Sequence, residues 1–225
     1  MVLMQQPQFN VQNDKTRGDA IAPIQEWIQI GEGHPHELPP VLSGLELEPT
    51  ISDIIMRLRG IFDISRTQPL STTDLHDLTC FVLHQLLLLP SPPLQMTVAD
   101  AQSACLRYAV ALYMLVIHGP TYFTHAHLQS NLVSRLKGYM NEVLDYLYLH
   151  HGAIALWIVS VGLVASADTL DSPWFVDQAK ALSKSLDLRA WPDIFVHLEM
   201  VLWYGGMRHA EIMFQQQWEM VLFVI

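Results

Sequence analysis

Residues 153–167 run Ala-Ile-Ala-Leu-Trp-Ile-Val-Ser-Val-Gly-Leu-Val-Ala-Ser-Ala, without a single charge. A helix of this composition has no polar face and cannot lie on a protein surface. It is also too short for a bilayer, which needs roughly twenty apolar residues. His150 and His151 precede it and Asp168 follows it. The stretch therefore predicts a buried central helix, and the rest of the chain must build its walls. With 225 residues there is material for one good core or two small ones.

The walls are legible as further helices. Pro49-Thr50 with Asp53 resembles a capping box, and Ile51, Ile54, Ile55, Leu58, Ile61 and Phe62 share one helical face. Arg57 and Arg59 lie off that stripe, and Arg59 reads as solvent-facing. A second helix starts near Ser71–Asp74 and stops at Pro90, with Leu75, Leu78, Val82, Leu86 and Leu89 inward. Thr97 with Asp100 caps a third, whose stripe is Ala101, Ala104, Cys105, Tyr108, Ala109, Leu112, Leu115 and Val116. Arg107 falls inside that apolar helix, so it must point outward or pair with a buried carboxylate. Gly119-Pro120 ends it. Helices are expected over 127–149, 153–167, from Ser172-Pro173 to 186, and from Trp191 to the Gly205-Gly206 stop. A helical tail covers 207–225. Alternating β-branched runs bounded by hairpin turns do not occur.

The fold class is therefore all-α: a single-domain irregular bundle of seven or eight helices over 49–225. Residues 1–48 read as a loose leader with one short helix around Ile21 to Ile30. The N-terminus lacks the basic and apolar regions of a signal peptide.

Net charge is −10, with 12 basic against 22 acidic residues. That balance disfavours a phosphate backbone as a partner, because such affinity is built on Lys and Arg. The two cysteines, Cys80 and Cys105, both read as buried free thiols of a reducing compartment. The 11 histidines offer no ligand spacing. His34 and His36 flank a proline, His125 and His127 do not share a helix face, His150 and His151 are adjacent, and His76 and His84 lie two turns apart. No His-Glu-x-x-His, Cys-x-x-Cys, Gly-x-Ser-x-Gly or phosphate-loop pattern is present. Asp74 with Asp77, and Asp168 with Asp171, sit where helix starts favour negative charge. Accordingly no catalytic, cofactor-binding or metal residue is named, no cofactor is expected and the chain reads as a non-enzyme. Trp157, Trp174, Trp191 and Trp203 are read first as core anchors and second as the lining of a groove.

One ordered series adds a further expectation. It runs from Ser103-Ala104-Cys105-Leu106-Arg107-Tyr108 through Arg135-Leu136-Lys137 and residues 156–166. It closes with Pro173-Trp174-Phe175-Val176, Trp191-Pro192-Asp193-Ile194 and Leu202-Trp203. The series resembles the C-terminal helical domain of fungal-specific transcription factors, over about residues 47–220. The resemblance implies a regulatory domain in the nucleus, with a protein partner or self-association and a possible small effector. Family members carry an N-terminal six-cysteine zinc cluster that binds DNA. Two cysteines, neither in the leader, cannot build it, so the chain reads as a truncated family member without DNA binding of its own. The alternative is a stand-alone cytoplasmic helical scaffold or small-molecule-binding protein. The tail residues Met213, Phe214, Trp218, Met220, Leu222 and Phe223 are expected either to pack only partly or to leave an apolar patch of several hundred Å². Removing 207–225 should then reduce self-association without loss of helix.

Overall fold

The computed structural model describes residues 22–32, 39–93, 95–119 and 126–223. His34, His36, His125, Pro120 and the leader before residue 22 lie outside them. Among the described residues there are nine α-helices and no strand. They are α1 (Gln25–Glu32), α2 (Pro49–Ile64), α3 (Thr72–Leu88), α4 (Val98–His118) and α5 (Ala126–His150). After these come α6 (Gly152–Ala165), α7 (Ser172–Ser185), α8 (Trp191–Val201) and α9 (Arg208–Phe223). A 3-10 turn at Pro40–Leu42 precedes α2.

The apolar stretch forms α6, and every residue from Ile154 to Ala165 is buried. α4, α5, α7, α8, α9 and the 3-10 turn surround it. Ser160 and Gly162 in its middle serve packing. Ser160 Oγ donates to the Leu156 carbonyl and accepts from Trp218 Nε1 of α9 at 2.9 Å. Gly162 lets α7 approach, because a Cβ there would run into the Phe175 ring. Gly162→Ala is expected to cost about 1–3 kcal/mol by overpacking. Urea denaturation of this variant, with and without Phe175→Leu, measures how much the smaller side chain restores.

α4 differs from expectation. Its stripe residues are buried, but so are Leu106, Val110, Ala111, Tyr113, Met114 and Ile117. Helices α2, α3, α5, α6 and α9 all pack on it, which makes α4 a second central helix rather than an amphipathic one. The leader differs too. Ile24, Trp27, Leu42 and Leu45 are buried, and α1 packs on α2. Arg57 holds it there by donating to the Trp27 carbonyl at 3.0 Å while lying over the indole ring. The described part of residues 22–48 is thus a packed element, not a loose one.

Local signals held with small shifts. Thr97 and Asp100 form the reciprocal capping box, and Ser71 caps α3 through the Asp74 N–H. The α2 cap is Glu48, whose carboxylate accepts from the Ile51 N–H, with Pro49 in the first turn. At α7 the cap position is Asp171 rather than Ser172. Asp193 accepts from the Arg189 and Ala190 N–H groups at the start of α8.

Helix α8 ends at Val201, four residues before the glycine pair; Leu202 is extended, and Leu202 to Tyr204 are non-helical and buried. Side chains replace the helical bonds there. Trp157 Nε1 donates to the Leu202 carbonyl at 2.8 Å. The Tyr204 N–H donates to the Tyr113 hydroxyl at 2.7 Å. Arg59 donates to the carbonyls of Met200 and Val201. Arg59 is therefore half-buried at a helix end, not solvent-facing. Replacing it with Ala should cost about 1–3 kcal/mol, the range for bonds to a charged group. A loss within 0.5 kcal/mol in a denaturant melt, the usual surface value, would show the contact to be idle.

Candidate cleft at Arg107

Where α3 ends, Leu89 adopts an extended conformation and leads into Pro90-Ser91-Pro92-Pro93. Proline cannot continue the helix, so the chain leaves it here, and residues 90–93 carry no helix. This loop, the start of α2 and the first turns of α4 enclose an open cleft of about 530 Å³. Its apolar walls are Leu47, Ile51, Leu89, Pro92, Ala99 and Ala104. Four charged residues also line it: Glu46, Glu48, Asp100 and Arg107.

Arg107 is the most buried of these, at 6% exposure. It neither points outward nor pairs with a carboxylate, as the sequence reading required. Nη1 donates to the Pro90 carbonyl and Nη2 to the Leu89 carbonyl, both at 2.8 Å. The guanidinium thereby clamps the loop onto α4 and lies over the Tyr108 ring, 5.3 Å from its centroid. Nε has no hydrogen-bond partner among the described residues. Burial lowers the arginine pKa from its ordinary value, opposed by the Tyr108 and Tyr139 hydroxyls and by Glu48. Tyr108 stacks on Tyr139 at 5.5 Å, and Arg135 of α5 donates to the Tyr108 hydroxyl at 3.2 Å. Two guanidinium groups thus flank one phenol ring.

The carboxylates of the cleft are mostly engaged. Asp100 is held by Thr97, whose bonds lower its pKa. Glu48 caps α2, and its own N–H donates to Ser103 Oγ at 3.0 Å. Glu46 is exposed.

No tryptophan lines this cleft. Trp157, Trp203 and Trp218 are buried, and Trp174 and Trp191 are half-buried against the core. Cys105 is buried and its thiol pKa is pushed up by desolvation. Cys80, expected to be buried, is only half-buried. Its Sγ lies 3.6 Å from His76 Nε2, and His76 Nδ1 lies 3.0 Å from His118 Nε2. The sequence reading missed this row, although the four-residue spacing of His76 and Cys80 puts both on one helix face. Desolvation and Asp77 raise the Cys80 pKa, which favours the unreactive thiol. Among the described residues no group of three His, Cys, Asp or Glu side chains could hold a metal ion. No described helix is long and apolar enough to cross a membrane.

No protein-family model, curated protein or solved structure matches this chain.

Proposed function

We propose that the chain is a non-enzymatic regulatory domain that holds a small effector in the Arg107 cleft and acts through protein contacts. The observation that carries this reading is the cleft: apolar walls, one deeply buried charge and a loop clamped by that charge. Such a site couples occupancy to the α3–α4 connection, because a ligand touching Arg107 bears directly on its bonds to Leu89 and Pro90. The ordered series from Ala104 to Trp203 supports placing that regulation in transcription, in the nucleus, as the helical part of a fungal-type factor forming a single domain. Surface apolar residues on α8 and α9, among them Val196, Met200, Ile212 and Met220, support a protein partner or self-association.

Fusion to a heterologous sequence-specific DNA-binding domain tests this. The fusion should alter transcription of a reporter carrying the matching site, relative to a size-matched inert fusion. No change in either direction would sink the transcriptional reading and leave the small-molecule-binding scaffold, which rests on the same cleft. The chain alone should show only weak, salt-sensitive association with duplex DNA by anisotropy. Nanomolar sequence-specific binding would contradict the assignment.

A further inference from the structure

We infer that the ligand of the cleft is a monocarboxylate with an apolar body, its carboxylate set against Arg107. This rests on the reading of the cleft as an effector site and adds the chemistry of the effector.

A guanidinium has five N–H donors in a planar fork. Arg107 gives one from Nη1 and one from Nη2 to main-chain carbonyls, and Nε is unpartnered. No described carboxylate lies within ion-pair distance of it. Glu48 is near enough to favour the charged form, but its carboxylate is occupied in capping α2. A charge taken out of water without a counter-charge is costly. The cleft therefore presents a buried cation that an entering anion would neutralise, and a carboxylate matches the guanidinium fork.

The rest of the lining limits the ligand further. Leu47, Ile51, Leu89, Pro92, Ala99 and Ala104 offer an apolar surface and no ordered array of donors, so the body of the ligand is apolar. Glu46, Glu48 and Asp100 face the same space. They repel any anion, and a doubly charged one more, so the single charge directed at Arg107 is admitted ahead of phosphates and dicarboxylates. A volume of about 530 Å³ lies within the range of small-molecule sites.

Calorimetric titration of the full chain with sodium octanoate, octylammonium chloride and octyl phosphate, below their micelle concentrations, tests the inference. Octanoate should bind saturably at one site, and the other two at least about tenfold more weakly, the scale of one charge-assisted bond. Arg107→Gln should weaken octanoate by a similar factor. Because Arg107 also clamps the loop, a second variant is needed. Ala99→Leu leaves the guanidinium in place, narrows the cleft, and should weaken octanoate with the circular dichroism melt unchanged. No saturable octanoate binding, or octanoate binding unaffected by both variants, overturns the inference. Octylammonium binding as tight as octanoate and lost in Ala99→Leu overturns the ligand class while keeping the cleft as the effector site. Intact octanoate binding with a silent reporter fusion instead removes the regulatory reading and leaves the ligand assignment standing.

Discussion

Replacing Trp218 with Ala should cost about 3–5 kcal/mol, the range for deleting a buried aromatic side chain. Trp218 is fully buried, and its indole N–H reaches Ser160 in the middle of α6. α9 also carries Ala210, Phe214 and Val221 into the core and touches α4, α6, α7 and α8. The indole fills the space between α9 and the central helix, so its removal leaves a cavity bounded by rigid helices. Met220→Ala on the same helix is the control. Met220 is 56% exposed and should lose no more than about 0.5 kcal/mol. Urea melts followed by circular dichroism decide between them, and comparable losses would mean that α9 is not seated as described. The same packing reverses the expectation for the tail. Deleting residues 207–225 should unfold or strongly destabilise the chain rather than merely relieve self-association. The exposed Ile212, Met220 and Phe223 remain the part of α9 that a partner could cover.

Leu112→Ala should cost about 2–5 kcal/mol. Leu112 is fully buried at the centre of α4, directly after Ala111 and three residues after Ala109. The alanines at 109 and 111 fill little of the space beside it, so the leucine supplies much of that volume. Neither Ala109 nor Ala111 can extend into the space it would vacate. The loss should therefore fall in the upper half of that range, read from the denaturation midpoint at unchanged slope. A loss under about 1 kcal/mol would mean that the surrounding helices collapse onto the site.

Helix content and the central helix were legible because they follow from local pattern. An uncharged run has one stable place in a water-soluble fold, and Thr97-x-x-Asp100 or a proline pair acts within a few residues. The second central helix was not legible. Arg107, Gln102 and Ser103 made α4 look amphipathic, yet Gln102 and Arg107 are buried. Arg107 is held by the main chain at Leu89 and Pro90, a contact set by tertiary packing. The cleft stayed hidden for the same reason. Its lining comes from three segments, and the two acceptors that hold Arg107 are main-chain oxygens, which carry no residue identity. The early end of α8 was equally opaque, since Gly205-Gly206 is the stronger local stop. Arg59, Tyr113 and Trp157 override it from far away in the chain.

That override bears on the order in which the molecule can be assembled during synthesis. The bonds of the 202–204 segment join residues 45 and 91 positions apart, and Arg59 reaches Val201 across 142 positions. Contacts of such separation form late, after the entropy of closing large loops has been met. While residues up to 165 leave the ribosome, the Trp157 indole N–H and the Tyr113 hydroxyl have no acceptor or donor from the far end of the chain. The α4–α6 centre is then apolar, hydrated at these two points and open on the side that α8 and α9 will occupy. A nascent chain in that state is a substrate for chaperones and prone to association with its neighbours. The helices after residue 165 are thus the closing seal of this core.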